Sequence, residues 1–530
     1  MFDGAVVRRC SARSGASTLR SDPPSVSPTF GPVLAHRPGT MNKLIAIALF
    51  AGACGGTIDN QSASADDEAW SAAGNPALFS SGLEYRLDVL PAQGQAKVIP
   101  WTGSYWPTAN DDINYRWDGA ATDSPAKKYE KAFGGHGVED MVSKYHGIDS
   151  VTSARTCTAN SQCSSSDGEI CAKRTGHTSG RCIPTWWGIC HGWTPASILM
   201  PEPKHAVVRN GITFKVNDLK ALASLAHDST TTKFVSLRCD TGRASGMQFD
   251  KYGRPVDEAC RDSNAGTYHV LLANYLGKMG KAFAEDRTQD AEVWNQPLRG
   301  YKVLEKREVS AAEANRLIGV GIEGGTVTAK TAAPAKGAWI QLGSYTVSAG
   351  QAWQVKMTGT GDADLFVRFG SAPTATSYAC RPYSNGSAED CSGTVPAGQT
   401  KLFVAVNGYT AANVSLSISV GGSVPSTYVF NKNAKRLVYV RADLQYTSEE
   451  SPESDGYMTP HIDSYTQTDS YEYVLELDST GRIVGGEWVG ESKQAHPDFL
   501  WLPTGVGSST VAGGAIAYAS VKSLMDEAAK

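Results

Sequence analysis

Eleven cysteines in a chain of 530 residues constrain the fold more than any other feature. Cys157, Cys163, Cys171 and Cys182 crowd a stretch of Ser, Asn, Gly and Asp. Such a stretch has too little apolar material to fold unaided, so two disulfides holding an insert at 157–182 are the natural reading. Zinc is the rival, but the spacing of paired zinc cysteines is absent. Cys239 and Cys260 flank one polar loop, and Cys380 and Cys391 flank another; each pair is expected to close locally.

Disulfides persist in exported proteins, and the first residues read accordingly. Residues 1–40 are rich in Arg, Ser and Pro without periodicity, which marks an untranslated or disordered leader. Met41 then opens a short apolar run that ends in Ala51-Gly52-Ala53-Cys54. The run is too short to span a bilayer, so 41–54 is expected to be a signal peptide. It resembles a bacterial lipoprotein box with Cys54 as the lipidated residue, followed by a flexible tether over 55–75. The expected address is the outer membrane or cell surface, touching the membrane only through a lipid anchor, or else secretion. Lys and Arg total 49 against 53 Asp and Glu, so charge gives no reason to expect nucleic acid.

With Cys10 in the leader, Cys54 lipidated and eight cysteines paired, Cys190 is left over. It follows Trp186-Trp187-Gly188-Ile189 and precedes small and apolar residues up to Leu199, the pattern of a thiol at the start of a buried helix. An odd cysteine in an exported protein forms an intermolecular bridge or is a reactive thiol, and the turn-then-helix context favours the second. A nucleophilic cysteine needs a base, and the base needs an orienting residue. His191 is adjacent, but neighbours one apart on a helix do not face each other. His269 is better placed, in the apolar run Gly266 to Gly277, which reads as a strand. A second strand over Lys281–Arg287, folded back about 277–279, sets Asp286 opposite His269. Asp290 and Asn295 are the alternative orienters, because turn length shifts the pairing. The oxyanion requires the Cys190 N–H and a second donor, for which the indoles of Trp101, Trp106, Trp186 and Trp187 are candidates.

Longer motifs carry a resemblance. Val293-Trp294-Asn295-Gln296-Pro297-Leu298-Arg299-Gly300-Tyr301-Lys302-Val303 is very close to the surface peptide by which plants recognise the oomycete transglutaminase elicitors. Pro100 to Pro107, Cys190-His191-Gly192-Trp193, Gly266 to Gly277, Gly485 to Trp488 and His496 to Pro503 are similar to that family as well. The resemblance covers most of 80–310 and 428–525. It implies an α+β fold with a papain-like, transglutaminase-type cysteine core and calcium-independent transglutaminase activity without a cofactor. It also implies protein substrates that offer glutamine and lysine side chains, with Cys190 as nucleophile, His269 as base and Asp286 as its orienter. The elicitor-like peptide is expected to be a packed turn built on Trp294 and Pro297. The sequence departs from the family in its leader, its disulfide cluster and a large insertion.

That insertion, 325–424, is rich in Thr, Ala, Gly and Ser and carries short alternating strands at 339–342, 353–357, 365–368, 402–406 and 414–418. Strands at this spacing indicate a β-sandwich. Gly361-Asp362-Ala363-Asp364, Cys380-Arg381-Pro382-Tyr383 and Asn407-Gly408-Tyr409 resemble the bacterial prepeptidase C-terminal domain, a jelly-roll module. Asp362 and Asp364 are either a structural calcium site or turn residues. The catalytic domain is thus expected in two parts, 76–317 and 428–530, the second with strands at 437–440 and 471–477. Glu476, Asp478, Glu487, His496 and Asp498 are expected on a solvated sheet face or along the acyl-acceptor side of the cleft. The functional expectation is an exported protein-glutamine γ-glutamyltransferase. A papain-like cysteine peptidase is the alternative, and a non-catalytic surface-binding lipoprotein the third possibility.

Overall fold

Apolar residues alternate along the chain after the insertion, and in the computed structural model they form one side of an eight-stranded sheet. The structure describes residues 70–242, 247–250, 252–382 and 386–530; the leader, the signal peptide, Cys10, Cys54 and most of the tether lie outside them. Eight strands matter here: β1 (Gln93–Gln95), β2 (Thr230–Val235), β3 (Ala284–Asp286), β4 (Asn295–Val309), β5 (Arg436–Thr447), β6 (Thr466–Leu477), β7 (Ile483–Trp488) and β8 (Leu500–Val506). Their order is β7-β6-β5-β4-β3-β8-β2, with β1 on β4, and every pairing is antiparallel. The long β4·β5 pairing joins the chain before the insertion to the chain after it.

Seven α-helices accompany the sheet among the described residues: α1 (Pro125–Phe133), α2 (Val138–Tyr145), α3 (Cys190–Leu199), α4 (Val216–Ala226), α5 (Ala265–Leu272), α6 (Ala311–Ile318) and α7 (Tyr518–Ala528). Helix α5 overturns the strand expected at 266–277. An apolar run without alternation does not separate a buried strand from a buried helix, and here the Asn264 side chain caps the helix by accepting from the Gly266 N–H at 2.8 Å. A π-helix, Ala273–Met279, carries the run to Gly280. Gly266 lets α5 lie on β7, since a Cβ there would stand 2.4 Å from the Gly485 carbonyl oxygen.

The helix α5 face of the sheet holds one core, with Phe79, Tyr268, Phe283 and Tyr473 at its centre. A second core, around Trp101, Trp106, Trp193, Phe214 and Leu222, binds α1 to α4 and α7 together. Helix α3 sits between the two, on β4 and β8.

The insertion is a β-sandwich of a four-stranded and a three-stranded sheet around Trp353, Val355, Leu365 and Val404. Its two ends are joined by hydrogen bonds between Glu323 and Ser423, 3.0 Å in both directions. Asp364 pairs with the Arg381 guanidinium at 2.9 Å, so its carboxylate already has a cationic partner. The four pairs Cys157–Cys171, Cys163–Cys182, Cys239–Cys260 and Cys380–Cys391 are disulfides, and Cys190 is free. Among the described residues, the cluster with metal-ligand spacing is Cys157, Cys163 and Cys182, all consumed by these bonds. Glu476, His496 and Asp498 are buried rather than on a solvated face; His496 stacks on Trp488 with ring centroids 5.0 Å apart.

Candidate active site

Cys190 is the first residue of α3, where unpaired backbone N–H groups and the helix dipole favour negative charge. The turn before it is clamped from one side. The Ile189 N–H donates to the Tyr105 carbonyl at 2.7 Å, and the Thr108 N–H donates to that of Trp187 at 2.8 Å. Gly188 is required in this turn, because a Cβ there would lie 2.4 Å from the Tyr105 oxygen. Trp106, Asp111 and Asp112, in the clamping segment, hold left-handed backbone at φ 44°, 67° and 56°, which non-glycine residues seldom adopt.

The thiol is buried between two groups of the elicitor-like peptide. Its S–H donates to the Val293 carbonyl at 3.8 Å, and the Asn295 side-chain amide donates to Sγ at 3.5 Å. The Asn295 Oδ1 in turn accepts from the Trp501 indole at 2.8 Å. Helix and strand are pinned at the same place, since the Thr194 hydroxyl donates to the Asn295 carbonyl at 2.9 Å.

His191 supplies the imidazole. Its Nε2 donates to Asp228 Oδ1 at 2.8 Å, and Asp228 follows directly after α4. The two helices approach closely because of Gly192, where a Cβ would stand 2.3 Å from the Ser224 carbonyl oxygen. The His191 proton is held up to about 10: burial opposes its charge but is outweighed by the hydrogen bonds and charges of Asp228 and Cys190. Burial likewise opposes the Asp228 carboxylate, and the hydrogen bonds from His146 and His191 outweigh it and hold the group well below the usual range. The arrangement is a thiol, an imidazolium and a carboxylate in sequence, the set that covalent acyl transfer requires.

The expected base lies elsewhere. His269 is in α5, 2% exposed, and shares a hydrogen bond of 2.9 Å between its Nδ1 and the Tyr473 hydroxyl. Burial lowers its proton affinity to about 3, so it is neutral at working pH. None of its hydrogen bonds reaches Cys190 or Asp286. The expected hairpin between 269 and 286 is replaced by pairing of Asp286 with Asn295. Asp286 accepts from the Trp294 N–H at 2.8 Å and from Thr288; burial raises it to about 7. It therefore holds the loop that carries Val293 and Asn295 and does not orient an imidazole. Asp290 accepts from Glu292 N–H within that loop at 3.0 Å.

Of the indoles, Trp101 is spent on the Met200 carbonyl at 3.0 Å, at the end of α3. Trp106 is buried with its N–H unpartnered. Trp186 and Trp187 are half-buried with rings 6.0 Å apart. Asn295, expected only as an alternative orienter, is the polar side chain brought to the sulfur. His146 and Asp228 carry no local signal and meet through helix packing; Trp501, within the His496 to Pro503 motif, reaches Asn295 across the sheet.

This fold is transglutaminase-like. The chain belongs to the transglutaminase elicitor family, which it matches over residues 75–318 and 423–530; residues 344–408 match the bacterial pre-peptidase C-terminal domain. The GP42 transglutaminase from Phytophthora sojae has a similar solved structure, 32% identical, with a TM-score of 0.57 over 86% of this chain and 96% of that one. Shorter similarities include a neutral protease of Vibrio proteolyticus, 48% identical over 68 residues, and xanthomonalisin of Xanthomonas sp. (strain T-22), 55% identical over 56 residues. These cover 13% and 10% of this chain and span 11% and 7% of those proteins.

Proposed function

We propose that the protein is an exported protein-glutamine γ-glutamyltransferase. The observation that carries this reading is the free Cys190 at a helix N-terminus, beside an imidazole fixed by Asp228. Cys190 thiolate attacks the γ-carboxamide carbon of a protein glutamine. The oxyanion takes hydrogen bonds from the Cys190 N–H and the Asn295 amide. As the C–N bond breaks, His191 gives its proton to the departing ammonia and leaves a thioester. A lysine amine then attacks the thioester carbon, His191 accepts the amine's proton, and the thiolate is released as the isopeptide forms. No step calls for calcium or a cofactor. A nucleophile at the head of a helix packed on an antiparallel sheet supports a papain-like core. The disulfides and the pre-peptidase C-terminal domain support export, and lipidation at Cys54 would retain the enzyme at the membrane surface; no helix among the described residues is long and apolar enough to cross it.

Cys190→Ala is expected to abolish monodansylcadaverine incorporation into casein with the circular dichroism spectrum unchanged; incorporation that survives the change refutes the assignment. A cysteine peptidase is the second reading, favoured by the pre-peptidase C-terminal domain. Mass spectrometry of treated casein separates the two: ammonia loss with crosslinks for the transferase, new chain termini for the peptidase. A non-catalytic binding protein would leave Cys190 unlabelled by iodoacetamide at neutral pH.

A further inference from the structure

Asp228 serves two imidazoles through one oxygen. His191 Nε2 lies 2.8 Å from its Oδ1, and His146 Nδ1 lies 3.4 Å from the same atom. His146 is the residue that closes α2, its N–H donating to the Val142 carbonyl at 2.8 Å. This end of a helix favours a cation.

The charged groups acting on His146 come from the clamping segment, from α3 and from the residues after α4. Asp112 faces it from the clamping segment, fully buried, with one carboxylate oxygen, Oδ2, unpartnered. Asp111, next to it, is tied up by the Ser143 hydroxyl at 2.5 Å, the Ile148 N–H at 2.8 Å and the Arg174 guanidinium at 3.4 Å. Across Asp228 stands His191 of α3. His227, at the end of α4, is turned to the Ala223 carbonyl through its Nδ1 at 2.8 Å, and burial lowers its proton affinity. Asp112, His146, Asp228 and His191 therefore alternate as acid, imidazole, acid, imidazole.

We propose that His146, backed by Asp112, is a positioning residue that divides Asp228 between two imidazoles and so limits how tightly His191 holds its proton. The inference rests on the acyl-transfer reading for its purpose. In that cycle His191 must release a proton to ammonia and recover one from the amine. A carboxylate devoted to His191 alone would hold the imidazolium more firmly and slow its release of the proton. Sharing the oxygen weakens the hold. Burial opposes a proton on His146, but the hydrogen bond and charge of Asp228 and the charge of Asp112 outweigh it; when protonated, His146 repels the charge on His191 and weakens the hold again.

The test uses iodoacetamide alkylation of Cys190 across pH in the full chain, which needs no glutamine substrate. The upper inflection of that profile reports loss of the His191 proton. His146→Gln retains a hydrogen-bond donor without the charge. It is expected to move the upper inflection to higher pH by about one unit, at the strength of a near-surface charge pair, and to slow ammonia release from casein roughly tenfold at neutral pH. Asp112→Asn removes a carboxyl that burial raises to about 7 and whose charge, after the hydrogen bond and charge of Asp228, supports the proton on His146; it is expected to shift the inflection in the same direction. A variant that only loosened the fold would lower the amplitude and leave the inflection in place. An unmoved inflection in whichever of the two variants keeps the parent circular dichroism spectrum overturns the proposal. A shifted inflection in a protein that releases no ammonia sinks the transferase reading and leaves the relation between His146 and His191 standing.

Discussion

Trp501 donates its indole N–H to the Asn295 Oδ1 at 2.8 Å, and this turns the Asn295 amide N–H onto Cys190 Sγ, 3.5 Å away. The pair is built across β8 and β4, so its geometry is set by the sheet and not by a loop. Trp501→Phe keeps the packing and frees the amide to rotate. The expected result is a fall in kcat of about tenfold with KM for the glutamine substrate little changed; Asn295→Ala removes the donor itself and is expected to cost on the order of a hundredfold. Initial rates of ammonia release measure both. Equal kcat in the parent and Trp501→Phe would show that the indole has no hold on the site.

His191 and His269 make competing demands on experiment. His191→Gln is expected to lower amine incorporation by about a hundredfold or more, as loss of a general acid does. His269→Gln breaks the buried bond to Tyr473 and is expected to lower stability by roughly 1–3 kcal/mol while incorporation per folded molecule stays near the parent value. Denaturant unfolding and an active-site titration with labelled iodoacetamide give the two quantities. The opposite ranking would return His269 to the role of base.

Gly192 carries the approach of α3 to α4. A Cβ at this position meets the Ser224 carbonyl oxygen and stands 3.5 Å from the Asp228 N–H nitrogen. Gly192→Ala gains helix propensity yet must push the helices apart, which moves Asp228 off His191. Activity is expected to drop more than stability, with kcat falling about tenfold or more. Thermal melts alongside dansylcadaverine kinetics check the ratio.

Asp498 gives a pH dependence. Burial, aided by the charges of Asp286 and Asp262, raises it to about 9. A group raised on folding contributes stability that is complete below its unfolded value, near 4, and lost as pH climbs toward the folded one. Asp498→Asn still accepts from the Cys239 N–H, 2.8 Å away in the parent. The variant is therefore expected to match the parent below about pH 4 and to exceed it by roughly 1 kcal/mol or more at about pH 9, a few degrees in Tm. Melting curves at the two ends decide it, and a difference that does not grow with pH argues against a buried neutral acid.

The residues that announced themselves in the sequence were those whose signal is local. Cys190 stood out because eight other cysteines had neighbours to pair with, and the strands around Leu365 and Val404 stood out because they alternate. His269 misled for a physical reason. Its flanking run is apolar on every side, and only the Asn264 cap distinguishes helix from strand. The rule that adjacent helical residues diverge sets His191 aside. At the first turn of a helix that rule is weak, because Cys190 turns toward β4 while His191 reaches past Gly192 to Asp228. Asp228 and His146 meet only through the packing of α2, α3 and α4, which no spacing in the chain encodes.

The bond between Glu323 and Ser423 has a bearing beyond the insertion itself. The sandwich leaves the catalytic half and returns to it at one point, so the distance the catalytic chain must span there is that of a single strand pair. The sandwich hangs from this point and touches the rest of the chain again where Lys356 donates to the Gly319 carbonyl at the end of α6, at 3.3 Å; it adds mass and surface without entering the β4·β5 pairing.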